Sequence, residues 1–149
     1  VSEITNLFGV IDQIVARLRV TLGADHVVEK MAEFADLEFS QWPAPAVYVI
    51  SGQIVPSDPV ADWVQLELTI HVVVVVDNAY TISDQGGPDH QAGTIALNVI
   101  RQLHNWMPAD HDPLVLVPGN AVDFAPGRLL VPLSFKTGTT VTGFYDPNH

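Results

Sequence analysis

The chain has 149 residues and a mass of 16.2 kDa, enough for one domain core and too little for two full-sized ones. Apolar residues make up 48% of it, which excludes disorder, and 6 Lys+Arg against 17 Asp+Glu leave a net charge of −11, which excludes a general nucleic-acid-binding module because that affinity comes from cations displacing counterions. With no cysteine, a disulfide scaffold, a thiolate zinc site and a cysteine nucleophile are excluded together.

The segment 2–22 reads as an amphipathic helix. Ile4, Leu7, Phe8, Ile11, Ile14, Val15, Leu18 and Leu22 recur at three- and four-residue steps, with Ser2 to cap it and Gly23 to end it. Glu3 in the first turn, and Arg17 and Arg19 toward the last, suit the helix dipole. No basic stretch followed by an apolar one opens the chain, and no run approaches the ~18 apolar residues of a membrane span, so the expectation is a soluble protein made in a cytoplasm. Val27-Val28 predicts a short strand, and 31–39 one or two irregular helical turns. After Pro43-Ala44-Pro45, the run Ala46-Val47-Tyr48-Val49-Ile50 is β-rich, and 52–62, carrying Pro56 and Pro59, reads as a loop.

The stretch from Trp63 to Val76 separates into two faces by the two-residue period of a strand. Val64, Leu66, Leu68, Ile70, Val72, Val74 and Val76 form one apolar face, while the other reads Trp63, Gln65, Glu67, Thr69, His71 and then Val73 and Val75. At roughly 3.3 Å per residue this strand spans about 46 Å, far beyond the usual length, so it bends or projects from its own sheet. A polar loop over 78–89 leads to a second helix with the stripe Ala92, Ile95, Ala96, Val99, Ile100, Leu103 and Trp106, bounded by Pro108. Leu114 to Phe124 is a strand interrupted at Pro118-Gly119-Asn120, and Ala125-Pro126-Gly127-Arg128 fits a type II turn that returns Leu129–Thr137 as a hairpin. Pro132 places that last strand at an edge, or its gap at a bulge. The result is one α+β domain over 1–149, two-layered, with a mainly antiparallel sheet, two main helices on one face and 138–149 as a C-terminal arm.

The histidines carry the candidate chemistry. His104, Asp110, His111 and Asp112 are close in sequence and could together offer imidazole and carboxylate to a metal, but the seven-residue step between the histidines fits no metal template, so they read as a helix end followed by a polar loop. Asp84, Asp89 and His90 can be drawn as a carboxylate–imidazole site of a small hydrolase, or as a turn and a helix start. No nucleophile elbow, phosphate loop or paired helical histidines occur, so the expectation is a non-enzyme without metal or cofactor. Trp106, at the end of the helical stripe, reads as core, while Trp42 and Trp63 fit core or interface. Arg17, Arg19 and Arg101 read as solvated helix charges. A mean hydropathy of +0.25 exceeds what one small domain buries, which points to self-association.

The order of these elements resembles the tail terminator, or tail-completion, proteins of long-tailed bacteriophages. The likeness rests on the N-terminal helix, Pro43-Ala44-Pro45-Ala46-Val47-Tyr48-Val49-Ile50, and the Val-rich strand ending in Asp77-Asn78. It continues through Asp84-Gln85-Gly86, the helix ending Leu103-His104-Asn105-Trp106-Met107-Pro108, Pro113-Leu114-Val115-Leu116, Asp123-Phe124-Ala125-Pro126-Gly127-Arg128-Leu129 and Leu133-Ser134-Phe135. The resemblance implies a non-enzymatic virion protein at the head-proximal end of the tail. Such a protein forms a homo-hexameric ring that caps the tail tube, stops its polymerisation and joins it to a head-side connector or neck protein. Another tube or connector subunit is the alternative. Trp106, Pro126, Gly127, Arg128 and Phe135 are then structural positions. The surplus apolar face places the subunit contact at Val73, Val75, Asp77, Asn78, Asp84, Gln85 and Gly86, unless this end of the strand is simply buried in the subunit.

Overall fold

A computed structural model describes residues 4–23, 27–30, 43–60, 62–77, 88–125 and 127–142. In chain order the elements are α1 (Gly9–Leu22), β1 (Val27–Lys30), β2 (Ala46–Val60), β3 (Trp63–Asp77), α2 (Pro88–Leu103), β4 (Val115–Val117), β5 (Asp123–Ala125) and β6 (Arg128–Thr142). The sheet runs β1-β2-β3-β6-β4, with β5 also on β6, and only the β1–β2 pairing among these is parallel. This is the two-layer α+β fold expected, with both helices on one face.

The long strand keeps its predicted place but does not project alone. Every residue of β3 from Trp63 to Asp77 pairs with β6, and β2 runs alongside with register shifts at Ser51/Ile54 and Ser57/Val60. The expected loop at 52–62 is therefore mostly strand. The prolines misled the reading, and the direction of the backbone groups explains why the sheet tolerates them. The Asp112 N–H donates to the Gly138 carbonyl at 2.8 Å, so Gly138 points its backbone groups away from β3. Even-numbered residues of β6 share that direction, because a strand alternates sides residue by residue. Pro132 is one of them, and its missing N–H faces the gap between β5, paired to 128–130, and β4, paired to 134–136. The last strand is thus neither at an edge nor bulged against β3. By the same alternation Pro56, opposite Leu66, turns its missing N–H to the outer side of β2, where β1 pairs only as far as Val49.

α1 begins at Gly9 rather than near Ser2, which lies outside the described residues. The Phe8 N–H donates to Asn6 Oδ1 at 2.9 Å and the Gly9 N–H to the Asn6 carbonyl at 3.1 Å, a turn that holds the chain off the helix axis. Val10, Ile11, Ile14, Val15 and Leu18 are the buried stripe, each stabilising by about 2 kcal/mol relative to exposure. α2 buries Ala92, Ile95, Ala96, Val99 and Leu103 and ends where Asn105 takes a left-handed φ of 67°. Trp106 follows the helix, half-buried against the core, with the Arg17 guanidinium 4.7 Å from its ring centroid. Arg17 also donates to the Gln102 carbonyl and is half-buried, so it is not the solvated charge expected, whereas Arg19 is exposed as expected while donating to the Val28 carbonyl and Glu29.

The two faces of the sheet differ. Toward the helices, Leu68, Ile70, Val72, Val74 and Val76 join Val47, Val49, Leu129 and Phe135 in the main core. On the opposite face Ala46, Tyr48, Val75 and Leu130 form a second, small cluster with Val73 at its border. Tyr48 donates its hydroxyl to the Pro43 carbonyl at 2.9 Å, and burial pushes its pKa up to about 12. The β5–β6 turn has Gly127 at φ 74°, as a type II turn requires. Pro126 and the irregular turns expected at 31–39 lie outside the described residues. Residues Gly138–Thr142, expected as the start of an arm, pair with β3 as the end of β6.

Candidate functional site

The predicted chemical residues have structural partners. His104 Nδ1 accepts the Leu116 N–H at 3.1 Å, which ties the end of α2 to β4. The Asp112 carbonyl accepts from Thr137 Oγ1 at 2.6 Å and the Asp110 carbonyl from Thr139 Oγ1 at 2.8 Å, so this segment continues the sheet beyond β4. His111 is buried, with Nδ1 2.8 Å from the Ala109 carbonyl. Among the described residues no three His, Asp or Glu side chains are grouped as metal ligands. His90 is exposed in the first turn of α2, where its carbonyl accepts from Thr94, and Asp84 lies outside the described residues. Among the described residues one Ser–His contact is made, His71 Nδ1 to Ser134 Oγ at 2.9 Å, and Ser134 is the buried cross-strand partner of His71.

Surfaces carry more information. Val75 is 0% exposed within the single chain, so a neighbour is not needed to cover it, and its side chain belongs to the subunit interior. Val73 is half-buried, and Asp77 is exposed, 3.6 Å from Arg128 opposite it. Asn78, Asp84, Gln85 and Gly86 lie outside the described residues. The apolar surface without a core lies at the other end of the long strands. Ile54 (38%) is exposed on the helix-facing side of β2, where it shares a hollow with exposed Phe8 and where Val64 and Leu66 are half-buried outside both clusters; Val55 (40%) and half-buried Trp63 lie on the opposite face. Sequence reading missed this patch because Pro56 and Pro59 hid a strand; the β-branched pair Ile54-Val55 was the available signal.

On the far side, beyond β4, a groove of about 580 Å³ lies between the segment Met107–Asp112 and the end of β6. A smaller polar network crosses the sheet beside it. Gln65 donates to Asp112 Oδ2 at 3.3 Å and accepts from Thr140 Oγ1 at 2.6 Å, passing over Gly138, which has no side chain to block it. The sheet thus carries two unlike surfaces, an apolar one beside Ile54 and a polar one beside Asp112.

A family model of phage tail terminator proteins matches residues 5–145. The chain belongs to that family. The comparison with curated proteins finds no match. Membership makes the chain a structural component of a phage tail, and no described helix is long and apolar enough to cross a membrane. Gly127 is a turn glycine, Arg128 the partner of Asp77, Phe135 a core side chain and Trp106 a half-buried side chain packed on the core.

Proposed function

We propose that the protein forms a closed ring of six subunits that caps the tail tube, stops its polymerisation and presents the surface to which a head-side connector or neck protein attaches. Family membership over 5–145 is the observation that carries this reading. The exposed apolar surface around Ile54 and Phe8 supports it, because a head-to-tail ring joins two unlike surfaces and each must be covered. The patch is one side of the proposed contact. Val73, Asp77 and the segment after it remain a second part, whereas Val75 drops out because it is interior. The net charge of −11 suits a ring that lets DNA pass without gripping it.

The test is light scattering and electron microscopy of the purified protein, alone and with purified tail tubes. Rings that bind tube ends and halt further lengthening are expected. A monodisperse monomer both free and on assembled tails would refute it.

A further inference from the structure

The two outer sides of the long strands are not equivalent. On β2 the outward positions after Val49 include Pro56, which offers no donor to an incoming strand. Proline on an edge is a common device against strand addition. On β6, among the described residues, the chain's own segment pairs only as far as the Asp112 N–H on the Gly138 carbonyl. The next outward residue is Thr140, exposed and facing the 580 Å³ groove. Its hydroxyl is engaged by Gln65, while its backbone N–H and carbonyl point into the groove by the alternation established at Gly138.

The groove's other groups are acceptors. Asp110 and Asp112 are exposed at its wall, and His111, 6% exposed, lines it. A carbonyl only accepts, so His111 Nδ1 carries a proton toward Ala109, and the buried Nε2 has no partner among the described residues. An apolar side chain, Met107, 64% exposed, completes the rim.

We propose that this edge is a docking slot for an extended, basic segment of another protein, which adds as a strand beside Thr140 and sets Lys or Arg against Asp110 and Asp112. Main-chain pairing supplies affinity in such strand addition and side-chain pockets supply specificity. A second copy is the poorer occupant: the β2 stretch Gly52–Val60 contains Asp58 and no cation, and its outer edge is broken by Pro56. The inference rests on the ring reading only in taking the partner to be a virion protein, and binding to the isolated subunit is measured independently of ring formation.

The experiment is fluorescence anisotropy of the full chain with a labelled basic peptide, Thr-Lys-Val-Arg-Val-Thr, and its acidic counterpart, Thr-Glu-Val-Asp-Val-Thr. Basic-peptide binding that weakens with salt is expected, with affinity reduced at least about tenfold in Asp110→Asn/Asp112→Asn. Thr140→Pro should abolish it, and Thr140→Val, which keeps the N–H and loses the same hydroxyl, should retain it. The sheet already accommodates proline at the equivalent outward positions 56 and 132, so Thr140→Pro is expected to fold, checked by circular dichroism. Equal binding of both peptides, or wild-type binding by Thr140→Pro, would overturn the proposal. So would loss of self-association in Thr140→Pro, seen by light scattering with no peptide binding by the wild type, since that assigns the edge to a second copy.

Discussion

Replacing Val75 and Ile54 with aspartate separates interior from contact surface in one experiment. Val75 is 0% exposed beside Ala46, Tyr48 and Leu130. An unpaired carboxylate placed there costs several kcal/mol, on the order of the 5–15 kcal/mol that holds a whole domain together. Val75→Asp is expected to unfold the subunit or to lower its urea midpoint severely. Ile54 is 38% exposed and belongs to neither core cluster, so Ile54→Asp forfeits only about 1 kcal/mol of partial burial. It should fold with a near-native far-ultraviolet spectrum and midpoint, yet run as a monomer under conditions in which the wild type forms rings by size-exclusion light scattering. A stable, folded Val75→Asp chain would remove the second cluster from the core, and wild-type rings from Ile54→Asp would remove the β2 patch from the contact.

Gly52→Ala should destabilise by about 1–3 kcal/mol in urea denaturation, because a Cβ there would stand 2.8 Å from the Thr69 carbonyl oxygen and 2.7 Å from His71 Nε2 at a register shift of the sheet. Tyr48 has a folded pKa raised to about 12 from the model-compound 10.0, so the folded state favours the protonated phenol: the stability it confers is complete below pH 10 and is lost as pH rises through 12. Denaturation at a series of alkaline pH values should show that loss in the wild type and a shallower one in Tyr48→Phe. Duplex DNA should bind weakly at physiological salt, checked by an anisotropy titration in which tight, steeply salt-dependent binding would contradict the charge reasoning.

How far the fold was legible depended on whether the local signal and the global sheet agreed. Ile11, Ile14, Val15 and Leu18 repeat at helical spacing and lie in the core, and the alternation from Val64 to Val76 placed the long strand with its helix-facing side correct. The apolar end of that strand, at Val73 and Val75, was legible as covered on both faces but not as covered by what, since a second cluster within the subunit and a neighbour's surface give the same pattern of residues. Pro56 and Pro59 carried the largest misreading. A proline breaks a strand only where its missing N–H is required, and whether position 56 faces β3 or open space follows from the bulge at Ser51/Ile54, which no local motif announces. Ile54 and Val55 disappeared into the supposed loop with it, and with Ile54 an exposed apolar part of the candidate contact.

The charge, in contrast, was read correctly in sum and incompletely in detail. Of the 6 cations in the chain, Arg19, Lys30, Arg128 and Lys136 pair with Glu29, Asp12, Asp77 and Glu67, and Arg17 lies over Trp106. These pairs are largely exposed and contribute little stability individually. Their consequence is for recognition: Arg101 is the one cation with no such partner among the described residues, so the surface offers partners apolar side chains and carboxylates. A subunit with that surface can associate with copies of itself through the first and with basic partners through the second, while phosphate finds almost nothing to hold. In the proposed ring, self-assembly and transparency to DNA would have a common origin in where the six cations are spent.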